Sequence, residues 1–144
     1  MEQYPSELIR GIANSNELDD EGNATINLFQ FRENPLRNDN KVELSINWCD
    51  DKIKALSLVM NQRKLDESYQ FKAGAAIISR DKLDDMRKTP YCKGKLYYER
   101  APIENNEFHG NVTCTAGLPK PTMHIIKASL VLSVTSIFTR DCTI

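Results

Sequence analysis

Few residues of this 144-residue chain are of types that do chemistry: two histidines, four cysteines, and some arginines and carboxamides in the presumed strands. His109 stands in Asn105-Asn106-Glu107-Phe108-His109-Gly110-Asn111. Strand alternation places His109, Asn111 and Thr113 opposite Phe108, Val112 and Cys114. An imidazole on a polar face beside an Asn-rich turn suits acid–base work or ligand hydrogen bonding. The structural alternative is a ring that closes the turn through a backbone hydrogen bond. His124, at the start of the last apolar segment, reads as a surface or capping residue. Ser45 and Asn47 lie on the polar face of the clearest strand, and Arg10 lies in the first apolar run. If these faces meet, Arg10, Ser45 and His109, with Asn47, Asn106 and Asn111, form a polar pocket for an anionic or nucleotide-like ligand.

Other chemistries lack their residues. The cysteines, at positions 49, 92, 114 and 142, are too far apart for a C-x2-C ligand pair, and His109 and Cys114 point to opposite faces of a strand. No metal site and no cofactor is expected. There is no nucleophile elbow, zincin helix, P-loop or dinucleotide fingerprint. The cysteines read as reduced, buried small hydrophobes, with the Cys49 thiolate disfavoured by Asp50 and Asp51. Nineteen basic and twenty acidic side chains give a net charge of −1, without the basic stripe that phosphate neutralisation requires. The basic residues between Arg80 and Lys95 are interrupted by Asp81, Asp84 and Asp85, which reads as a solvated helix face with pairs such as Asp84–Lys88. This argues against nucleic acid as the partner. The start Met-Glu-Gln-Tyr-Pro has no basic n-region, and the apolar-rich stretch 125–138 is short and carries Lys127. A cytoplasmic protein without a membrane segment is expected.

The elements that must position these residues follow from periodicity and punctuation. Leu8 to Ile12 reads as a strand, followed by a polar loop from Asn14 to Asn23. Thr25 to Phe31 reads as a strand in a hairpin with Val42-x-Leu44-x-Ile46-x-Trp48, where every second residue is apolar. A helix is expected from Lys52 to about Leu65, capped by Asp50 or Asp51, with Ile53, Leu56, Val59 and Met60 on one face. Phe71 to Ile78 reads as a small-residue strand in which Gly74 marks a close approach or a bulge. Ser79 caps a short helix with Leu83 and Met86 inward, ended by Thr89-Pro90. Strands follow at Lys95 to Ala101 and Glu107 to Cys114, joined by the turn Pro102 to Asn106. Thr122 to Phe138 closes the chain as one element, a helix with the stripe Ile126, Leu130, Val134 and Ile137 or Phe138, or else a buried strand. The sum is a single α+β domain over residues 1–144, largely an antiparallel sheet with two to three helices.

The order of short motifs resembles a family of small, uncharacterised bacterial proteins often encoded in defence or mobile-element neighbourhoods. The matching pieces are Leu8-Ile9-Arg10, Asp20-Glu21-Gly22, Phe29-Gln30-Phe31, Leu44-Ser45 and the Asn-x-x-His-Gly turn Asn106 to Gly110. The resemblance implies a bacterial setting and adds weight to Arg10, Ser45 and His109. An arginine in the first strand and a serine in a later one also resemble ADP-ribosyl transferases, whose pattern adds a late glutamate; Glu99, Glu104 and Glu107 are all available for it. Two functions follow as expectations. The first is a non-enzymatic accessory protein that works with a larger operon partner or its own copy, docking through the apolar 125–138 stretch. The second is a small domain or enzyme using the Arg10/Ser45/His109 pocket for a small molecule.

Overall fold

The computed structural model describes residues 3–140, which form one six-stranded sheet and three α-helices. The elements are β1 Glu7–Ile12, β2 Lys41–Trp48, α1 Lys52–Asn61, β3 Gly74–Ser79, α2 Arg80–Arg87, β4 Leu96–Arg100, β5 His109–Thr115, α3 Lys120–Leu132 and β6 Val134–Thr139. The strand order is β4-β5-β2-β1-β3-β6, and every neighbouring pair is antiparallel. The chain is therefore a single α+β domain, as its patterning implies. Among the described residues no helix is long and apolar enough to cross a membrane.

The sheet is covered on both sides, unequally. Leu44, Ile46 and Trp48 of β2 join Leu8, Ile12, Ile78, Val112 and Cys114 in the larger core, under α2 and α3. The alternation of β2 has this cause: its apolar residues face that core and Glu43, Ser45 and Asn47 face away. The opposite face carries a smaller core of Ile9, Ala75 and Ile77 under Ala55 and Val59 of α1, with Phe108. The two clusters separate Phe108 from Val112 and Cys114, correcting the expectation that all three share a face: β5 begins only at His109, so Phe108 precedes the alternating segment. Likewise α1 buries Ala55 and Val59 and leaves Ile53 84% exposed. Leu56 and Met60 pack at the edge of this cluster as expected, and small Ala55 lets the helix lie close to the sheet.

Three further differences have local causes. Thr25 to Phe31 is not a strand: the Thr25 hydroxyl accepts from the Asn27 N–H and caps a 3-10 turn at Ile26–Leu28. Consecutive Leu28 and Phe29 are both buried there, which an alternating strand cannot arrange. Only the isolated bridge Arg32–Glu43 remains of the expected hairpin, and β2 pairs instead with β5 and β1. The segment from Thr122 divides into helix and strand. Ile126 and Leu130 face the core from α3, the Ser133 hydroxyl donates to the Leu130 carbonyl, and β6 turns back along β3. Gly74 makes the close approach expected of it, since a Cβ there would lie 2.0 Å from the Phe138 carbonyl oxygen.

Candidate functional site

The site arises where the sheet splits. β1 pairs with β3 along its whole length but with β2 only at Leu8–Trp48 and Ile9–Asn47. Continuing that register would set Gly11 opposite Ser45, but the strands part before the pair forms. The Arg10 side chain spans the gap, with Nε donating to the Leu28 carbonyl at 3.2 Å and Nη1 to the Ser45 carbonyl at 2.9 Å. Burial lowers the Arg10 pKa to about 10; nearby Glu17 opposes the shift and Arg32 adds to it. Arg10 is thus a strut that holds two strands apart.

A cavity of about 490 Å³ opens over the split, within the roughly 300–1,000 Å³ usual for small-molecule sites. Arg10, Ser45, Asn47, Asn106 and His109 all line it, so the structure brings together five of the six residues that the sequence singled out. The β2–β5 register explains the convergence, because Asn47 lies opposite His109 on one sheet face. The His109 ring does bond to the backbone: Nδ1 donates to the Ala101 carbonyl at 2.8 Å, anchoring the ring. Asn106 links the turn to β2, with Nδ2 donating to Asn47 Oδ1 at 2.6 Å.

Asn111 is the exception. It faces Ser45 across the ladder but does not line the cavity. Its Nδ2 donates to Glu99 Oε2 at 2.9 Å, and Glu99 is held by Arg37 with an Nη2–Oε1 distance of 2.7 Å. Glu99 and the neighbouring Asp39 and Glu43 raise the Arg37 pKa against the opposing effect of burial, the largest single influence. Glu107 pairs with Lys54, and Glu104 lines only an adjoining cavity. No late glutamate therefore joins Arg10 and Ser45, and the set implied by the transferase resemblance is not assembled.

The sequence did not single out Glu17, Arg32, Gln62, Gln70 or Phe71, which also line the cavity. The available signal was Gly11, a glycine inside a strand. A Cβ at Gly11 would lie 2.3 Å from the Phe71 ring, so only glycine lets that ring lie against β1. Glu17 is 6% exposed, and its Oε2 accepts from the Asn14 N–H at 2.7 Å. Arg32 is exposed, and among the described residues nothing pairs with its guanidinium.

Chemically, the cavity presents two guanidiniums against one carboxylate, a histidine, a planar aromatic ring and several carboxamides. That balance favours a ligand carrying negative charge and many hydrogen-bonding groups. Among the described residues no three His, Cys, Asp or Glu side chains converge as a metal site, and no hydrogen bond joins Ser45 to His109. The described cysteines are free thiols. Burial, then Glu7, raises the Cys49 pKa to about 11; Asp50 adds to the shift, whereas Asp51 caps α1. No protein-family model matches the chain, and no curated protein or solved structure matches it significantly.

Proposed function

We propose that this protein is a binding domain for a small nucleotide-like anion, held without covalent chemistry in the cavity at the split of the sheet. The observation that carries this reading is the convergence of Asn47, Asn106 and His109 around one 490 Å³ space with the guanidinium of Arg32, which has no partner among the described residues. Arg10 keeps the strands apart, Arg32 attracts the anionic group, and the carboxamides and His109 supply directional hydrogen bonds. The cavity also shares Gln62, Ile103 and Asn106 with an adjoining cavity of about 370 Å³, which extends it beyond one small group. A cytoplasmic, bacterial setting, which the motif resemblance implies, belongs to the same reading. Thermal denaturation with nucleoside monophosphates, and with inorganic phosphate as control, tests it. At a hundred times Kd a ligand stabilises by about 2.7 kcal/mol, which Arg32→Ala would reduce. No stabilisation by any nucleotide at millimolar concentration would refute it.

A second reading, an accessory protein that docks on a partner or a second copy, has its own support. Within the 125–138 stretch Ile126 and Leu130 are buried in the core while Ile125, Leu132 and Phe138 are exposed, and β6 is an edge strand reading Val-Thr-Ser-Ile-Phe-Thr without charge or proline. Such an edge invites further pairing. A concentration-independent monomer by light scattering, with no stoichiometric partner in affinity purification, would remove this reading.

A further inference from the structure

We infer that Asn47 and His109 together read the amino edge of an adenine ring, an assignment that rests on the nucleotide reading above and names its base. Two hydrogen-bond chains, each anchored on a backbone group with only one role, decide what these side chains offer. The first begins at the Phe108 N–H, which can only donate, and donates to Asn106 Oδ1 at 3.1 Å. The other end of that carboxamide is therefore the donor, and it donates to Asn47 Oδ1 at 2.6 Å. Asn47, which lines the cavity, is left with its NH2 group, a donor, to offer. The second chain ends at the Ala101 carbonyl, which can only accept, so His109 Nδ1 carries the proton of that 2.8 Å bond. In the neutral ring Nε2 is then a lone-pair acceptor.

Asn47 and His109 are direct cross-strand partners, so their side chains are neighbours at about 5 Å between Cβ atoms. The cavity wall therefore presents one donor beside one acceptor, both preset. The matching ligand edge carries an acceptor beside a donor and nothing more. Adenine does so with a ring nitrogen and its exocyclic amine. Guanine and cytosine each add a third polar group to that edge, which this pair would leave without a partner. Phe71, half-buried against Gly11 in the same cavity, supplies a ring for a base to stack on, and Arg32 supplies the charge for a phosphate.

Isothermal titration of the full chain with AMP, purine riboside 5′-monophosphate, GMP and nicotinamide mononucleotide tests the assignment. The purine riboside analogue lacks only the amine. AMP should bind tightest and the analogue about tenfold more weakly, the usual effect of leaving one buried group unpaired. In His109→Asn, a side-chain amide can still donate to the Ala101 carbonyl, but its shorter reach leaves its oxygen short of the position of the Nε2 acceptor. The AMP-to-analogue ratio should then fall to about one, with the wild-type circular dichroism retained. Equal affinities for AMP and the analogue in the wild-type protein, or an unchanged ratio in the variant, would overturn the assignment while leaving the nucleotide reading intact. Preference for GMP would overturn it in the same way, as would preference for nicotinamide mononucleotide, which offers the same pair of groups on a carboxamide. Binding of none of the four overturns both.

Discussion

Gly110→Ala should damage the fold beside the site through one contact that can be sized. Trp48, the only tryptophan of the chain, is fully buried, and its indole N–H donates to the Glu99 carbonyl at 3.1 Å. A Cβ on residue 110 would lie 2.4 Å from both Trp48 Nε1 and the Glu99 oxygen, between the two ends of that bond. Neither end moves cheaply: the oxygen belongs to the backbone of β4, and the indole is packed on Tyr4 and Tyr98 with ring centroids 4.7 and 5.3 Å away. Relieving the overlap costs about 1–3 kcal/mol as overpacking, and an indole N–H left buried without a partner costs about 1–3 kcal/mol more. A total of about 4 kcal/mol is expected, which at about 2 kcal/mol per molar lowers the urea midpoint by about 2 M. For 144 residues the same loss lowers Tm by about 13 °C. Urea titration followed by tryptophan emission reads both the stability and the displaced indole. In a Trp48→Phe background, followed by circular dichroism, the same substitution should cost at least about 1 kcal/mol less, because the N–H is gone. A loss below about 1 kcal/mol with unchanged emission would refute the reasoning.

Other expectations follow from the charges and thiols. Arg10 has its folded pKa lowered by burial to about 10, well below the ordinary arginine value, so the fold disfavours its charged form and stability is regained as pH rises above 10 toward that ordinary value. Between pH 8 and 11 the wild type should gain on the order of 1 kcal/mol relative to Arg10→Met; an unchanged difference in urea midpoints would show that the strut is well solvated. The Asp50 carboxylate accepts from Arg100, which, as the leading cause, lowers its pKa. Its contribution is present above the ordinary carboxylate pKa and is lost as pH falls through the folded value. Because Asp50 is 43% exposed, the effect is a few tenths of a kcal/mol. Wild type should therefore lose slightly more stability than Asp50→Asn between pH 5 and pH 3, and equal losses would contradict the pairing. With the Cys49 thiol raised to about 11 from 9.0, its thiolate fraction at pH 8 falls about a hundredfold. Alkylation of the native protein, mapped by peptide mass spectrometry, should leave Cys49 largely unmodified; labelling at the rate of a free thiol would refute this.

Much of the architecture was legible because it depends on local pattern. The period-two alternation from Val42 to Trp48 belongs to a strand with one face on the core, and β2 has that face. Ser79 caps α2 and turns Leu83 and Met86 inward, as its sequence neighbours require. The polar faces of β2 and β5 were readable, and their meeting at Asn47 and His109 follows once the two strands pair.

What the sequence could not decide was which strands pair and where the pairing stops. Thr25 to Phe31 has strand composition, but burying both Leu28 and Phe29 and capping with the Thr25 hydroxyl favours a turn. That turn aims the Leu28 carbonyl at Arg10, so the arginine props the sheet open instead of meeting a ligand alone. Asn111 has the same alternation as His109 but is drawn to Glu99 and Arg37, residues far from it in sequence. Phe71, Arg32 and Glu17 enter the cavity only because β1 and β2 separate after Ile9. Periodicity records which face of an element is apolar, and so determines strands, helices and the sides they bury. A cavity depends on contacts between residues distant in the chain, and only the folded arrangement of Gly11, Arg10 and Ser45 created this one.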